Sequence, residues 1–267
     1  MKLLRLTGVE MRRALHRRLV RWMIVLAAAC CAVAGLMVFL SSGDPVKFVQ
    51  DQGHPARMVN WWPAGGSDFL TTAALFLVVG AAICGASVAG AEWRAGTITT
   101  MLTWVPSRVR LHAARTCSAA LLSLVIGFLL QVLYLASAAP AVALHGTTTG
   151  TDASWWIALL LAMLRISLIT SLVAVLSFNI ATIGRNTSAA LIALATWALV
   201  IERLVAGLRP GLARFMIAEN VATVVPWAQL NRVNFERPPI VALLALVAYL
   251  ATVVAAATVI FSRRDVT

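Results

Sequence analysis

The chain has 267 residues, of which 61% are hydrophobic and 12% are charged, and its formal net charge at pH 7 is +12. A soluble domain carries about 25% charged residues, so this composition excludes an ordinary soluble protein. The apolar residues are gathered into six runs of 19 to 26 residues, and about 20 residues suffice to cross a bilayer. These runs are 22–40, 69–91, 116–138, 156–181, 188–206 and 240–261.

The runs predict helices, because in hydrocarbon every backbone N–H and C=O needs a partner within the protein. A membrane β-barrel would need alternating segments of about 10 residues, and the runs do not alternate. We therefore predict an all-α polytopic membrane protein with six transmembrane helices in a single domain, 1–267. The first run is longer than the 7–15 apolar residues of a signal peptide, so we expect it to be retained.

Residues 1–21 precede the first run and predict an amphipathic helix in the membrane interface. At 100° per residue, several apolar or small residues of this segment fall on one stripe, and most basic residues lie off it. The stripe consists of Leu4, Gly8, Met11, Leu15 and Leu19. The alternative is a basic flank without fixed structure.

The second run contains Gly80, Gly85 and Gly90 among several alanines. Small residues at this spacing allow helices to approach closely. They predict a packing face, which lies either within one protomer or across a dimer.

The segment 92–111 joins the second and third runs and is too long for a tight turn. It is interrupted at Gly96 and at Pro106. Gly96 permits a sharp turn from the spanning helix onto the membrane surface. We expect a short helix over 98–104 with Thr97 as its cap, and Ser107 as the cap of the next helix.

Two charged residues fall inside predicted spans, Arg165 in the fourth and Glu202 in the fifth. A charge at the bilayer centre costs at least about 2.5–3.5 kcal/mol and must face protein or water. Counting 1.5 Å per residue, Arg165 lies ~15 Å deep and Glu202 ~8 Å deep. The two side chains are predicted to form an ion pair that locks the helix bundle, or else to line a substrate cavity.

The last long loop, 207–239, mixes apolar residues with prolines at positions 210 and 226. Its pieces are too short to span, so we expect short helices that cap the bundle on its outer side.

Basic residues are distributed unequally between the two sides. Fourteen of the 22 Lys and Arg residues precede the first span or lie in the second-to-third loop, the fourth-to-fifth loop and the tail. The positive-inside rule then places both termini and the segment 92–111 in the cytoplasm. The charge thus reflects orientation and attraction to membrane lipids, and nucleic-acid binding is not expected. Arg outnumbers Lys by 20 to 2, which is typical of a GC-rich bacterial genome and favours a bacterial inner membrane.

Sequence motifs for catalysis and nucleotide binding are absent. The sequence contains no Walker A motif, no His-Glu-x-x-His and no Gly-x-Ser-x-Gly. The four histidines are scattered, and the four cysteines lie in or beside apolar runs without metal-ligand spacing. We therefore predict no enzyme activity, no catalytic residue and no bound cofactor or metal in this chain.

The sequence Glu92-Trp-Arg-x-Gly-Thr-Ile, followed by Pro106-Ser107-Arg108, resembles the hallmark of the ABC type-2 permease family. Two features depart from that pattern: 99–102 is more polar than usual, and Arg110 or Arg115 stands where a Lys is often found. The resemblance implies a coupling helix that docks on a separate ATPase. Its coupling residues would be Glu92, Arg94, Gly96, Thr97, Pro106, Ser107 and Arg108, with Glu92 paired to a partner arginine or to Arg94.

The resemblance further implies two permease subunits, as a homodimer or a heterodimer, with two ATPase subunits that bind ATP and Mg. The expected activity is export of an amphipathic or hydrophobic substrate. One alternative is an ATP-independent secondary transporter or channel, in which inverted repeats and broken spans are more usual. Another is a membrane-embedded lipid-modifying enzyme, which needs clustered acids or histidines; the inner face offers Glu10, Glu92 and Asp265.

Overall fold

The computed structural model of the protein describes residues 3–43, 53–61, 69–105, 107–227, 230–232 and 235–263. Within these residues six helices are long and apolar enough to cross a membrane, which confirms the predicted all-α, multi-pass membrane protein. The spanning helices are α2 (Arg18–Ser42), α3 (Phe69–Arg94), α5 (Arg108–His145), α6 (Ala153–Gly184), the segment Thr187–Leu208, and α10 (Pro239–Arg263). Shorter helices are α1 (Leu3–Leu15) and α4 (Thr97–Trp104).

The fifth spanning helix is not a continuous α-helix. It begins as α7 (Thr187–Thr196), passes through a π-helical turn at Trp197–Ile201 and ends as α8 (Glu202–Leu208). A π-turn places one extra residue in the helix and is often found at functional positions. Here it lies directly before Glu202, the one acidic residue of this span.

The third spanning helix, α5, has 38 residues and is therefore about 57 Å long. It exceeds the predicted 116–138 at both ends. At its start a helix that is already formed extends through the basic residues of 108–115 at low cost, and at its other end it continues past Pro140. The extension places Arg108, Arg110 and Arg115 on the same rigid helix as the membrane-crossing part.

Helix α6 lies at the centre of the bundle. In its apolar window 56% of the residues are buried, against 11% to 33% in the other five spanning helices. Helix α3 packs against it through small residues. A Cβ atom at Gly85 would lie 2.3 Å from the carbonyl oxygen of Ala174 in α6. Helix α3 also approaches the start of α7, where a Cβ at Gly90 would lie 2.5 Å from the amide nitrogen of Thr187. Much of the predicted small-residue face therefore packs within this chain, although Gly80 does not take part in these approaches.

Helix α1 ends earlier than predicted and presents a different face to the bundle. It stops at Leu15, and α2 begins at Arg18, so the predicted helix over 1–21 is interrupted. The side of α1 that bears Leu6, Thr7 and Ala14 is buried. On the predicted apolar stripe, Leu4 is 84% exposed, so the stripe faces away from the bundle.

The end of the bundle opposite α1 and α4 is covered by short elements. A 3₁₀ turn at Met58–Trp61 lies beside α6, where the Trp155 indole donates to the Val59 carbonyl oxygen at 3.3 Å. The predicted short helices of 207–239 are present as a 3₁₀ turn, Pro210–Phe215, and α9 (Ile217–Val224). An antiparallel hairpin, β1 (Leu230–Arg232) and β2 (Phe235–Arg237), was not predicted, because three-residue strands give too short an alternation to recognise.

Candidate functional site

The turn between α3 and α5 is built around Gly96 and α4. Helix α3 ends at Arg94, and Gly96 then adopts φ +64°, ψ +9°, in the left-handed region. An L-residue is strained there by about 1–2 kcal/mol, whereas glycine is not. Helix α4 follows at once, within one residue of the predicted 98–104. The expectation that Gly96 makes the sharp turn is therefore confirmed in its backbone geometry.

The two predicted caps have different outcomes. Ser107 precedes α5 in extended conformation, and its hydroxyl accepts from the Arg110 amide at 3.4 Å, as predicted. The Thr97 prediction is wrong: Gly96 holds the cap position, and Thr97 is already inside the first turn of α4. Within the described residues its buried hydroxyl has no hydrogen-bond partner. Pro106 lies outside the described residues.

Glu92 is the buried centre of this region, with 3% of its surface exposed. One carboxylate oxygen is hydrogen-bonded to the Arg17 guanidinium and the other to that of Arg115. A third guanidinium, that of Arg13, lies 3.7 Å from the same carboxylate. The expected pairing of Glu92 with a partner arginine or with Arg94 is thus replaced by pairing with arginines of α1, α5 and the α1–α2 junction.

A second carboxylate, that of Glu10 in α1, completes the cluster. It lies 3.8 Å from Arg115 Nε and 3.9 Å from Arg13 Nη1. Burial raises the pKa of Glu10 above its ordinary value, and the charges of Arg115 and Arg13 offset part of that rise. We call these five side chains the ion network: Glu10, Arg13, Arg17, Glu92 and Arg115.

The arginines of the ion network are also held by backbone and aromatic groups. Arg115 donates to the Val88 carbonyl oxygen at 3.3 Å and lies 5.3 Å from the Phe178 ring centroid. Arg17 donates to the Ser87 carbonyl oxygen at 3.5 Å, and burial lowers its pKa. A buried pair is stable only when its remaining donors are satisfied, and these contacts supply part of that requirement.

The ion network therefore ties α1 and α5 to the end of α3 immediately before the Gly96 turn. Sequence reasoning missed it, because its members are up to 105 positions apart. One signal was present: Glu10 is the only acidic residue among the first 43, where Arg is abundant.

Helix α4 has one anchored side and one exposed side. Ile98 is 2% exposed, and the Met101 thioether accepts from Arg13 Nη1 at 2.8 Å, so α4 touches the ion network. Between positions 94 and 110, the described residues that are exposed are Ala95 and Val109 together with Arg94, Gly96, Thr100, Thr103, Ser107 and Arg110. We call the last six the α4 surface. Arg108, also a predicted site residue, is partly buried beside it.

Neighbouring helices are joined to the same end of α3 through Trp93. The Arg185 guanidinium, in the turn between α6 and α7, lies 4.5 Å from the Trp93 ring centroid. The Phe261 ring, in α10, meets Trp93 edge-on at 6.2 Å. The C-terminal end of α3 is therefore also connected to the turn between the fourth and fifth spanning helices and to the sixth spanning helix.

Comparison of the chain with models of known protein families gives no match, and comparison with curated proteins gives none either. The resemblance to the ABC type-2 permeases accordingly depends on the sequence motif and its position in the topology.

The predicted ion pair between Arg165 and Glu202 is not formed. Glu202 is 4% exposed, and its oxygens accept from the Trp197 indole at 2.8 Å and from the amides of Ile217 and Ala218 at 3.0 and 2.8 Å. It caps α9, where the positive end of the helix dipole stabilises a carboxylate. Arg165 donates to the Leu161 carbonyl oxygen at 3.0 Å and lies 5.7 Å from the Trp227 ring centroid.

Proposed function

We propose that this chain is the membrane subunit of an ATP-driven exporter of the ABC type-2 kind, and that α4 docks on a separate ATPase subunit. The supporting observation is the construction of α4. It is a short helix whose exposed side bears Thr100 and Thr103 and is flanked in the chain by Arg94 and Arg110, and a buried ion network anchors its other side to three helices. A simple connection between two spanning helices requires no such anchorage.

The charge of the α4 surface suits a protein partner with exposed carboxylates. Arg94 and Arg110 are exposed there, and the polar side chains between them, Thr100 and Thr103, carry no charge. Charge complementarity of this kind selects a partner and its orientation more than it adds affinity.

The ion network gives a route by which movement of α4 reaches the membrane. A partner that displaces α4 also displaces Glu92, and the arginines bonded to Glu92 belong to the α1–α2 junction and to α5. Packed and ion-paired elements move as one body or change between discrete arrangements. The first three spanning helices are thereby coupled to the ATPase.

The remaining parts of the proposal follow from the same resemblance and from the charge distribution. Both termini and α4 face the cytoplasm of a bacterial inner membrane. A second permease subunit, identical or different, completes the translocation path for a hydrophobic or amphipathic substrate. ATP and Mg bind to two copies of the ATPase, so this chain itself catalyses no reaction.

Affinity purification from native membranes tests the proposal. The chain should bring with it a protein that carries a Walker A motif, identified by mass spectrometry. Replacing Arg94 by Glu reverses a charge on the α4 surface, and we expect roughly a ten-fold loss of the captured ATPase because close like charges repel. Absence of any ATPase from the wild-type preparation would overturn the proposal.

The matched control is Arg12→Glu, which reverses an exposed charge on α1 at the same end of the bundle but outside the α4 surface. It should leave ATPase capture unchanged. If both variants capture as much ATPase as the wild type, docking through α4 is contradicted. If both lose capture equally, only the overall charge of this end of the bundle matters, which also contradicts it. Thermal unfolding of each variant in detergent verifies that the spanning helices remain folded.

A further inference from the structure

An apolar cleft of about 350 Å³ lies between α2 and α3, with α5 as its floor. This volume is within the range of ligand pockets, roughly 300–1,000 Å³. Small side chains on both helices leave the space between them unfilled. Residues that line the cleft include Met23, Ala27 and Cys30 on α2, Gly80 and Cys84 on α3, and Ile126 on α5.

The cleft is long and narrow rather than round. Its lining extends from Val20 to Ala34 on α2, which is about 21 Å at 1.5 Å per residue. On α3 it extends from Thr72 to Val88, about 24 Å. Each length exceeds half of the roughly 30 Å hydrocarbon core, so one extended chain entering from one membrane face fits along it.

The chemistry of the walls selects a hydrocarbon chain as occupant. The few polar side chains that line the cleft include Ser123, whose hydroxyl donates to the Ala119 carbonyl oxygen at 2.6 Å within its own helix. An apolar space of this kind does not hold water, because a buried water needs 2–4 polar partners. Within a bilayer the surrounding solvent is lipid acyl chain, which fills such a space without losing hydrogen bonds.

The end of the cleft nearest the ion network is basic. Ala14 and Val20 both line it. At 100° per residue, Arg21 lies about 60° from the lining residue Ile24 of α2, whereas Arg18 lies on the face away from the cleft. Arg17 is engaged with Glu92, whereas Arg21 is exposed. Guanidinium groups bind phosphate through paired, charge-assisted hydrogen bonds. The only acidic residue among the first 43 is Glu10, and it lies within the ion network.

We infer that the cleft between α2 and α3 binds one acyl chain of an anionic phospholipid, with its phosphate held by Arg21. The inference does not depend on the proposed transport function, because it rests on the cleft and on the exposed arginine at its end. The bound lipid fills the gap between the first two spanning helices and so supports the junction that the ion network stabilises.

Photo-crosslinking in vesicles tests this site. The purified chain is reconstituted in phosphatidylcholine vesicles that contain a phosphatidylglycerol with a diazirine in its acyl chain. After illumination, crosslinked residues are located by mass spectrometry. We expect crosslinks concentrated on the cleft residues of α2, α3 and α5, and a uniform distribution over all lipid-facing helices would overturn the inference.

The variant Gly80→Leu fills the cleft. A Cβ at this position meets only the Met23 Cε atom, at 3.8 Å, and Gly80 lines the cleft, so the added side chain would occupy cleft volume. We expect roughly a ten-fold loss of cleft crosslinks, because the bulky side chain takes the volume of the lipid chain. The control Ala255→Leu enlarges an exposed residue on α10 and should leave the crosslinks unchanged. Equal crosslinking in the two variants contradicts the proposal.

A headgroup experiment tests the phosphate site separately. Diazirine phosphatidylglycerol should crosslink in the cleft roughly ten-fold more than the matching phosphatidylcholine. The variant Arg21→Gln should abolish the difference, whereas Arg18→Gln, on the opposite face of α2, should leave it unchanged. Persistence of the preference in Arg21→Gln contradicts the assignment of this arginine. Crosslinks to a second copy of the chain at the cleft, in place of lipid, would assign it to a protein interface and overturn the inference.

Discussion

The carboxylate of Glu92 and the guanidinium of Arg115 form an ion pair between the second and third spanning helices, with side chains 3% and 4% exposed. The pair closes the turn that contains α4, because Glu92 precedes this helix in the chain and Arg115 follows it. Glu92 is consequently a residue that fixes the geometry of the turn, and the docking that we propose would involve the exposed residues of the α4 surface.

Replacing Glu92 by Gln should destabilise the protein strongly. Removing one member of a buried pair leaves an uncompensated charge and typically costs about 3–5 kcal/mol. The arginines at positions 17 and 115 would both lose their carboxylate partner. Thermal or denaturant unfolding in detergent measures the loss. The control Arg94→Gln changes an exposed residue two positions away and should have little effect; equal stability of the two variants would contradict a structural role for Glu92.

Glu10 should make stability depend on pH. Burial raises its pKa above the ordinary value of 4.5, so the folded chain holds this proton to a higher pH than the unfolded chain. The free energy of unfolding therefore decreases as pH rises from about 4.5 through the raised pKa. Glu10→Gln removes this contribution. Melting temperatures of both proteins between pH 4.5 and 7 test the effect, and parallel curves would show that Glu10 does not titrate as stated.

The spanning helices could be predicted from sequence, whereas the ion network could not. Each apolar run is a local property, so composition alone located all six helices. The pairing of Glu92 with Arg17 and Arg115 joins distant positions that no local pattern connects. The Arg165–Glu202 prediction considered depth in the membrane but not rotation about the helix axis, and rotation decides which side chains meet.

The left-handed backbone at Gly96 predicts a specific order of substitutions. Gly96→Val places a β-branched residue at φ +64°, which should cost about 1–2 kcal/mol, although a Cβ there meets no atom within 4 Å. Gly96→Asn should be tolerated, since Asn adopts this conformation more readily. Hydrogen exchange should accelerate over Thr97–Trp104 in the Val variant and remain normal in the Asn variant. Identical exchange would mean that α4 does not depend on this turn.

Two glycines of α3 should respond in opposite directions to the same substitution. A Cβ at Gly85 would lie 2.3 Å from the Ala174 carbonyl oxygen, and overpacking of this kind typically costs about 1–3 kcal/mol. A Cβ at Gly80 has its nearest contact at 3.8 Å, so Gly80→Ala should stabilise the helix by roughly 0.5–1 kcal/mol. The melting temperatures of the two alanine variants provide the comparison. A destabilised Gly80→Ala variant would contradict the open cleft beside α3.

The separate contacts of Arg165 and Glu202 predict additive mutational effects. Glu202→Ala should cost about 1.5–3 kcal/mol, because the amides of α9 and the Trp197 indole lose a charged acceptor. A double-mutant cycle of Arg165→Ala with Glu202→Ala should give a coupling energy within about 0.5 kcal/mol of zero. The cycle of Trp197→Phe with Glu202→Ala serves as the positive control, since these two side chains are hydrogen-bonded at 2.8 Å, and should show a clear coupling. Strong coupling in the first cycle would show that Arg165 and Glu202 do interact, and would contradict their separate contacts.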